Sequence, residues 1–169
     1  QTRQDEQGNT LDPLEGKSYE VGIKSEFFDG RLNGSMAYFD ITQDNYAIAT
    51  GGRTPSGSLA YTAIQGVKTQ GYEFELSGEL RPGWQGHMGD TRNMARRQDT
   101  KVSTWAPENQ FSLYTTYQLP VRFAPLTIGG GARWQRKSWD VMTNPVRGGN
   151  VEAAQQAFWR FDAMAQYRV

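Results

Sequence analysis

Cysteine is absent from this 169-residue chain, and histidine occurs once, at His87. Without cysteine there is no disulfide framework and no thiolate metal site, and one histidine cannot build a histidine cluster. Net charge is missing too, because 18 basic side chains balance 18 acidic ones. A nucleic-acid binder needs a basic surface that releases counterions; the one cluster here, Arg92, Arg96 and Arg97, is followed by Asp99. Nucleic acid is therefore not an expected partner. No apolar run approaches the roughly 18 residues of a transmembrane helix, and no signal peptide opens the chain. The first residue is Gln1 rather than Met, which reads as a processed or cut piece.

What the chain does have is glycine, aromatic residues and alternation. It carries 19 glycines, and Phe, Trp and Tyr make up 12% of it. From Gly71 to Trp84, Tyr72, Phe74, Leu76 and Leu80 share one face of an extended strand, and Glu73, Glu75, Ser77 and Glu79 share the other. Three glutamates on one face cannot enter a dry core, since each would cost several kcal/mol to desolvate unpaired. That face must see water or many basic groups.

The same period recurs along the chain. Tyr19, Val21, Ile23, Ser25 and Phe27 alternate with Glu20, Gly22, Lys24 and Glu26, and a tight turn is predicted at Asp29-Gly30. Ala37, Phe39 and Ile41 alternate with Met36, Tyr38, Asp40, Thr42 and Asp44. Further strands are predicted from Phe111 to Leu119, from Leu126 to Gln135 and from Trp159 to Val169. Residues 1–18 read as a loop, as does the Gly-, Pro- and Ser-rich stretch Thr50 to Ser58. Residues 85–100 show almost no alternation, so a strand there is a topological demand rather than something the side chains display. Arg136 to Gln156 reads as a long loop, within which Val151 to Phe158 is expected to make a helical turn or two.

Two regularities bear on architecture. The strands run to about ten residues, the length that spans a bilayer when tilted. Connections alternate short and long: Asp29-Gly30, the Thr50 loop, Arg81-Pro82-Gly83, the segment around residue 90, Leu119 to Leu126, then Arg136 to Gln156. Membrane barrels sort their loops by side in this way, with tight turns at one end and long loops at the other. Aromatic residues near strand ends, Tyr19, Phe27, Phe39, Trp84, Tyr117, Trp134 and Trp159, suit the interfacial girdles of such a barrel. The expected fold is all-β: an antiparallel up-and-down transmembrane β-barrel, present as an incomplete set of about six to eight strands. A small non-specific porin or structural barrel, and a soluble β-sandwich or lipocalin-like binding module, stand as alternatives.

Several segments carry a resemblance. Leu11-Asp-Pro-Leu-Glu-Gly-Lys-Ser-Tyr-Glu-Val-Gly-Ile-Lys and Phe28-Asp-Gly-Arg-Leu-Asn-Gly-Ser-Met-Ala-Tyr-Phe are two; Gly71-Tyr-Glu-Phe-Glu-Leu-Ser-Gly is a third. With Trp105-Ala-Pro-Glu-Asn-Gln-Phe-Ser-Leu-Tyr-Thr-Thr-Tyr and Leu126-Thr-Ile-Gly-Gly-Gly-Ala-Arg-Trp-Gln, they resemble the barrel of TonB-dependent ferric-siderophore receptors, in the hydroxamate and pyoverdine-type branch. The resemblance covers most of the chain except residues 85–100. It implies an outer-membrane barrel of ~22 strands with a plugged lumen, of which residues 1–169 would be a late part, the plug domain and last strands being absent. It further implies a ferric siderophore as the transported ligand, no directly bound cofactor, and partnership with TonB through the plug domain and with outer-membrane lipid.

Nothing in the residues points to an enzyme. Gly129-Gly130-Gly131 lacks the Lys-Ser/Thr of a phosphate loop and lies inside a strand, where small residues permit close backbone approach. Glu73, Glu75 and Glu79 are wet-face residues rather than a Ca²⁺ or acid–base site. Ligand contacts are expected from inward or loop residues toward the long-loop end: Tyr46, Arg133, Trp139, Phe158 and Arg160. Their aromatic faces and guanidinium groups suit an iron chelate with acidic or aromatic parts.

Overall fold

The computed structural model describes residues 3–98, 100–120, 126–143 and 148–168. Seven strands follow one another across a single sheet: β1 (Glu15–Phe27), β2 (Leu32–Asp44), β5 (Val67–Arg81), β6 (Trp84–Arg97), β8 (Asn109–Gln118), β9 (Leu126–Gln135) and β12 (Phe158–Tyr167). Their order in space is their order in sequence, and β7 (Thr100–Lys101) adds a short pairing to β6. The described pairings β6–β8, β8–β9 and β9–β12 are all antiparallel.

Short connections close alternate ends. Phe28, Asp29 and Gly30 all take left-handed φ values of 54°, 57° and 79° between β1 and β2, as a short turn around Asp-Gly requires. Between β5 and β6, Gly83 supplies φ 78° immediately after Pro82. Between β8 and β9, Leu119 N–H donates to the Leu126 carbonyl at 3.1 Å.

The long connections are more ordered than the sequence suggests. Tyr46–Arg53 (β3) and Leu59–Ile64 (β4) form a hairpin between β2 and β5. The expected Thr50–Ser58 loop therefore shrinks to residues 54–58, where Thr54 N–H donates to the Ser58 carbonyl at 2.9 Å. Likewise Ser138–Thr143 (β10) and Asn150–Gln155 (β11) pair between β9 and β12. The helical turn expected over Val151 to Phe158 is a strand instead, because each residue from Asn150 to Gln155 has a partner on β10 to complete its ladder. Residues 85–100, without legible alternation, contain most of the 14-residue β6. Its backbone is fixed by β8, in register from Trp84↔Tyr117 to Arg92↔Asn109; a neighbouring ladder makes the strand where side-chain patterning does not. Residues 1–18 are loop only in part, since Gln4 bridges Thr10 and β1 begins at Glu15.

The chain groups into two compact units. One contains Gln1–Glu20, Phe39–Gln70 and Met94–Val102. Ala60, Ile64 and Val67 are buried there, and Asp40 joins β2 to β5 through Lys68 Nζ at 3.0 Å and Gln70 Nε2 at 2.7 Å. In its N-terminal loop, Asp5 Oδ1 accepts the amides of Gln7 and Asn9 at 2.9 and 2.7 Å, and Oδ2 accepts Asn9 Nδ2 at 3.0 Å. The Asn9 side-chain bond leads in holding the Asp5 carboxyl below the usual carboxylate range.

The other unit contains Val21–Tyr38, Gly71–Asn93 and Ser103–Val169. Leu32 is its one buried apolar residue among those described. Val21, Ile23 and Phe161 are 70%, 65% and 73% exposed, so among the described residues no second layer covers its strands.

Two outcomes are expected. Gly78 has φ 140°, and a Cβ there would collide with the Arg31 carbonyl, which also accepts the Glu79 amide at 2.7 Å. Gly78→Ala should therefore cost about 2 kcal/mol or more, read as a lower denaturant midpoint for the complete protein in detergent. A lowered carboxylate pKa contributes stability above the usual carboxylate range and loses it as pH falls through the depressed value. Asp5→Ala should thus speed amide exchange at Gln7 and Asn9 at neutral pH, where the wild-type carboxylate accepts both amides.

Candidate functional site

Strand register sorts the side chains of β6, β8, β9 and β12 onto two faces, because residues directly opposite each other point the same way. One face is polar. Its rows run Thr91, Gln110, Gln135, Phe158; then Gly89, Ser112, Arg133, Arg160; then His87, Tyr114, Gly131, Asp162. All of these residues except Gly131 and Asp162 line a recess of about 480 Å³.

A glycine on β9 seats one of the recess-lining residues, Tyr114. A Cβ at Gly131 would lie 2.8 Å from Tyr114 Cδ2, so the Tyr114 ring occupies the space that a side chain at 131 would need. Gly129 is equally committed, with Thr115 O and Thr116 Cγ2 each 2.9 Å from where its Cβ would be. The run 129–131 thus lets β8 side chains lie flat on β9.

The recess is cationic. Arg133 and Arg160 stand directly opposite each other on β9 and β12, an arrangement that like charges disfavour. Asp162 offsets part of that cost, its Oδ2 lying 3.6 Å from Arg160 Nη2. Arg133 makes no ion pair among the described residues. His87 Nδ1 sits 3.8 Å from Glu75 Oε1, which puts the β5 glutamates on this same polar face. Among the described residues no group of three or more His, Cys, Asp or Glu side chains could hold a metal ion.

Of the residues singled out in the sequence, Arg133, Phe158 and Arg160 meet at this recess. Tyr46 and Trp139 do not. Tyr46, on β3 opposite Ile64, borders a separate recess of about 520 Å³ with Arg3, Leu11 and Asn45. Trp139, on β10 opposite Ala154, donates its amide to the Thr104 carbonyl at 2.9 Å. His87, Thr91, Gln110 and Tyr114, all on the recess wall, are not among the residues that the sequence pattern singles out. The parity of β8 was legible and points to Gln110 and Tyr114; His87 and Thr91 lie in the stretch whose pattern was blank.

The opposite face is apolar between two aromatic rows. At the long-connection end, Asp90, Phe111, Trp134 and Trp159 share a row. Trp159 meets Phe111 edge-on at 6.2 Å, lies 6.4 Å from Trp134 and stacks on Phe161 at 5.9 Å. At the short-turn end Trp84 stands opposite Tyr117. Met88, Leu113, Ala132 and Phe161 fill a row between. From Phe111 to Tyr117 is about 20 Å along the strand, and the Leu126–Tyr167 pair adds ~7 Å. That is comparable to the ~25 Å apolar band of a membrane barrel. Tyr19 and Phe27 are exposed on β1. Phe39 shares its face of β2 with Ala37, which lies beside Gly22 and hence opposite to the exposed Met36 and Tyr38.

The family model for TonB dependent receptor-like β-barrels matches residues 1–169. The chain belongs to this family. Membership makes the chain part of an outer-membrane β-barrel, with the aromatic-bounded face toward lipid and the polar face toward the lumen. The ferripyoverdine receptor of Pseudomonas aeruginosa is 44% identical over 171 residues, covering 98% of this chain and 21% of that protein. The ferric-pyoverdine 358 receptor of Pseudomonas putida is 36% identical, covering 96% and 20%. The chain therefore spans about a fifth of the length of these curated relatives. Among solved structures, the P. aeruginosa ferripyoverdine receptor bound to ferripyoverdine superposes with a TM-score of 0.86, covering 99% of this chain and 23% of that one at 44% identity. The alcaligin outer-membrane receptor of Bordetella pertussis gives 0.65 at 29% identity, covering 98% and 32%.

A charge at mid-height separates the faces of this TonB-dependent barrel wall. Leu113→Arg on the lipid face should destabilise the folded receptor by about 2–4 kcal/mol. Tyr114→Arg, one residue on, should cost less than half as much. Refolding titrations of the complete receptor in lipid vesicles would compare the two.

Proposed function

We propose that this chain is part of the barrel wall of a TonB-dependent receptor that takes up a ferric siderophore of the pyoverdine type across the outer membrane. The observation that carries the reading is the pairing of near-complete coverage of the chain at 44% identity to a ferripyoverdine receptor with a cationic recess on the lumen face. The complete receptor would include a plug domain through which TonB acts. Arg133 and Arg160 would engage acidic groups of the chelate, since planar guanidinium groups bind carboxylates in forked pairs. Phe158 and Tyr114 would offer ring faces to its aromatic parts, and Tyr46 and Trp139 would contribute from the long hairpins. Trp84, Tyr117, Trp134 and Trp159, with Tyr19 and Phe27, would serve as membrane-interface aromatics, whereas Phe39 lies on the other face of β2.

In a bacterium without a pyoverdine receptor of its own, the complete protein should restore uptake of radioiron given as ferric pyoverdine. Uptake should stop when TonB is deleted; persistence without TonB would indicate a passive pore. Arg133→Ala and Arg160→Ala should each weaken binding about tenfold, or about 1.4 kcal/mol, with the receptor still at normal abundance in the outer membrane.

A further inference from the structure

At the short-turn end of the lipid face, Arg81, Pro82, Trp84 and Tyr117 line a third recess, of about 630 Å³, within the size range of small-molecule sites. Its walls are held in place by the β5–β6 turn. The Gly83 amide donates to Glu79 Oε1 at 3.1 Å, and the Gly83 carbonyl accepts the Gln118 amide at 2.8 Å. The Trp84 indole N–H donates to Thr115 Oγ1 at 2.7 Å, and that hydroxyl donates onward to the Gln85 carbonyl at 2.8 Å. The polar edge of the indole is thus already engaged, and its ring face is what the recess presents. Above it, Leu80 covers Gly86, its Cδ1 lying 3.2 Å from where a Cβ would be, so the surface continues as apolar toward mid-membrane.

Arg81 is the one cation of this recess. It is exposed and makes no ion pair among the described residues, whereas Lys68, Arg136, Lys137 and Arg160 each have a carboxylate within 4 Å. An unpaired guanidinium at the aromatic interfacial row, beside donors already committed, matches a phosphate group held at headgroup depth. We propose that this recess binds one anionic glycerophospholipid of the leaflet at the short-turn end. Its phosphate pairs with Arg81, its glycerol region rests on Pro82 and the Trp84 and Tyr117 rings, and its acyl chains run along Leu80.

The test is a phosphatidylglycerol titration of the complete detergent-solubilised receptor, read by native mass spectrometry, with the heat-dependent gel mobility of folded barrels as a check on each variant. The wild type should retain one phosphatidylglycerol in preference to further copies. Arg81→Gln should weaken that first step about fivefold, the worth of one basic group at an anionic lipid surface, and Arg81→Glu should weaken it further. Either folded variant binding like the wild type would overturn the proposal. So would lipid A displacing phosphatidylglycerol at lower concentration, which would make the site one for the other leaflet.

Discussion

The structure depends on a face that the chain cannot cover by itself. Along β6, β8, β9 and β12, one side of the sheet is a band of Leu, Met, Ala, Phe and Trp with no second layer upon it among the described residues. In water that area would be a large unfavourable exposure; in a bilayer it is satisfied by acyl chains. Burial in lipid also dictates the backbone. Every N–H and C=O at membrane depth needs an internal partner, which the antiparallel ladders supply between neighbouring strands from β6 to β12. The scarcity of conventional core residues follows directly, because lipid takes the place of a hydrophobic interior.

Once that side is committed to lipid, the strict two-residue period of a strand commits the other side to the lumen. Arg133 and Arg160 can then stand opposite each other, partly balanced by Asp162, at a place where a soluble domain would have to bury them. The glycines at 129 and 131 belong to the same arrangement. They remove side chains where β9 would crowd β8, so Tyr114 and Thr116 lie against the wall and the lumen face stays open above them.

Most of this is legible in the sequence. Alternation in β1, β5, β8, β9 and β12 came through because both faces there use side chains of contrasting polarity, as in Phe111-Ser-Leu-Tyr-Thr-Thr-Tyr. β6 was opaque for a definite reason: its lipid face offers Trp84 and Met88 but also Gly86, Asp90 and Arg92, so the contrast between faces fades. Its strand character comes from pairing with β8, and pairing partners leave no local trace in sequence. The hairpins β3–β4 and β10–β11 were hidden by Gly, Pro and Ser at their tips, which outweighed short flanking strands. Of the site, Arg133, Phe158 and Arg160 were accessible through parity and charge. His87 was not, since its place depended on the one strand that could not be read.

The match between chain order and spatial order has a consequence for biogenesis. No strand of the main sheet has to wait for a distant segment before it finds a neighbour, so the wall can be laid down one hairpin after another, each step closing a loop of modest length. Such a zipper exposes a single growing edge at any moment. A break in one turn, as at Pro82-Gly83, would stall everything downstream rather than loosen the whole.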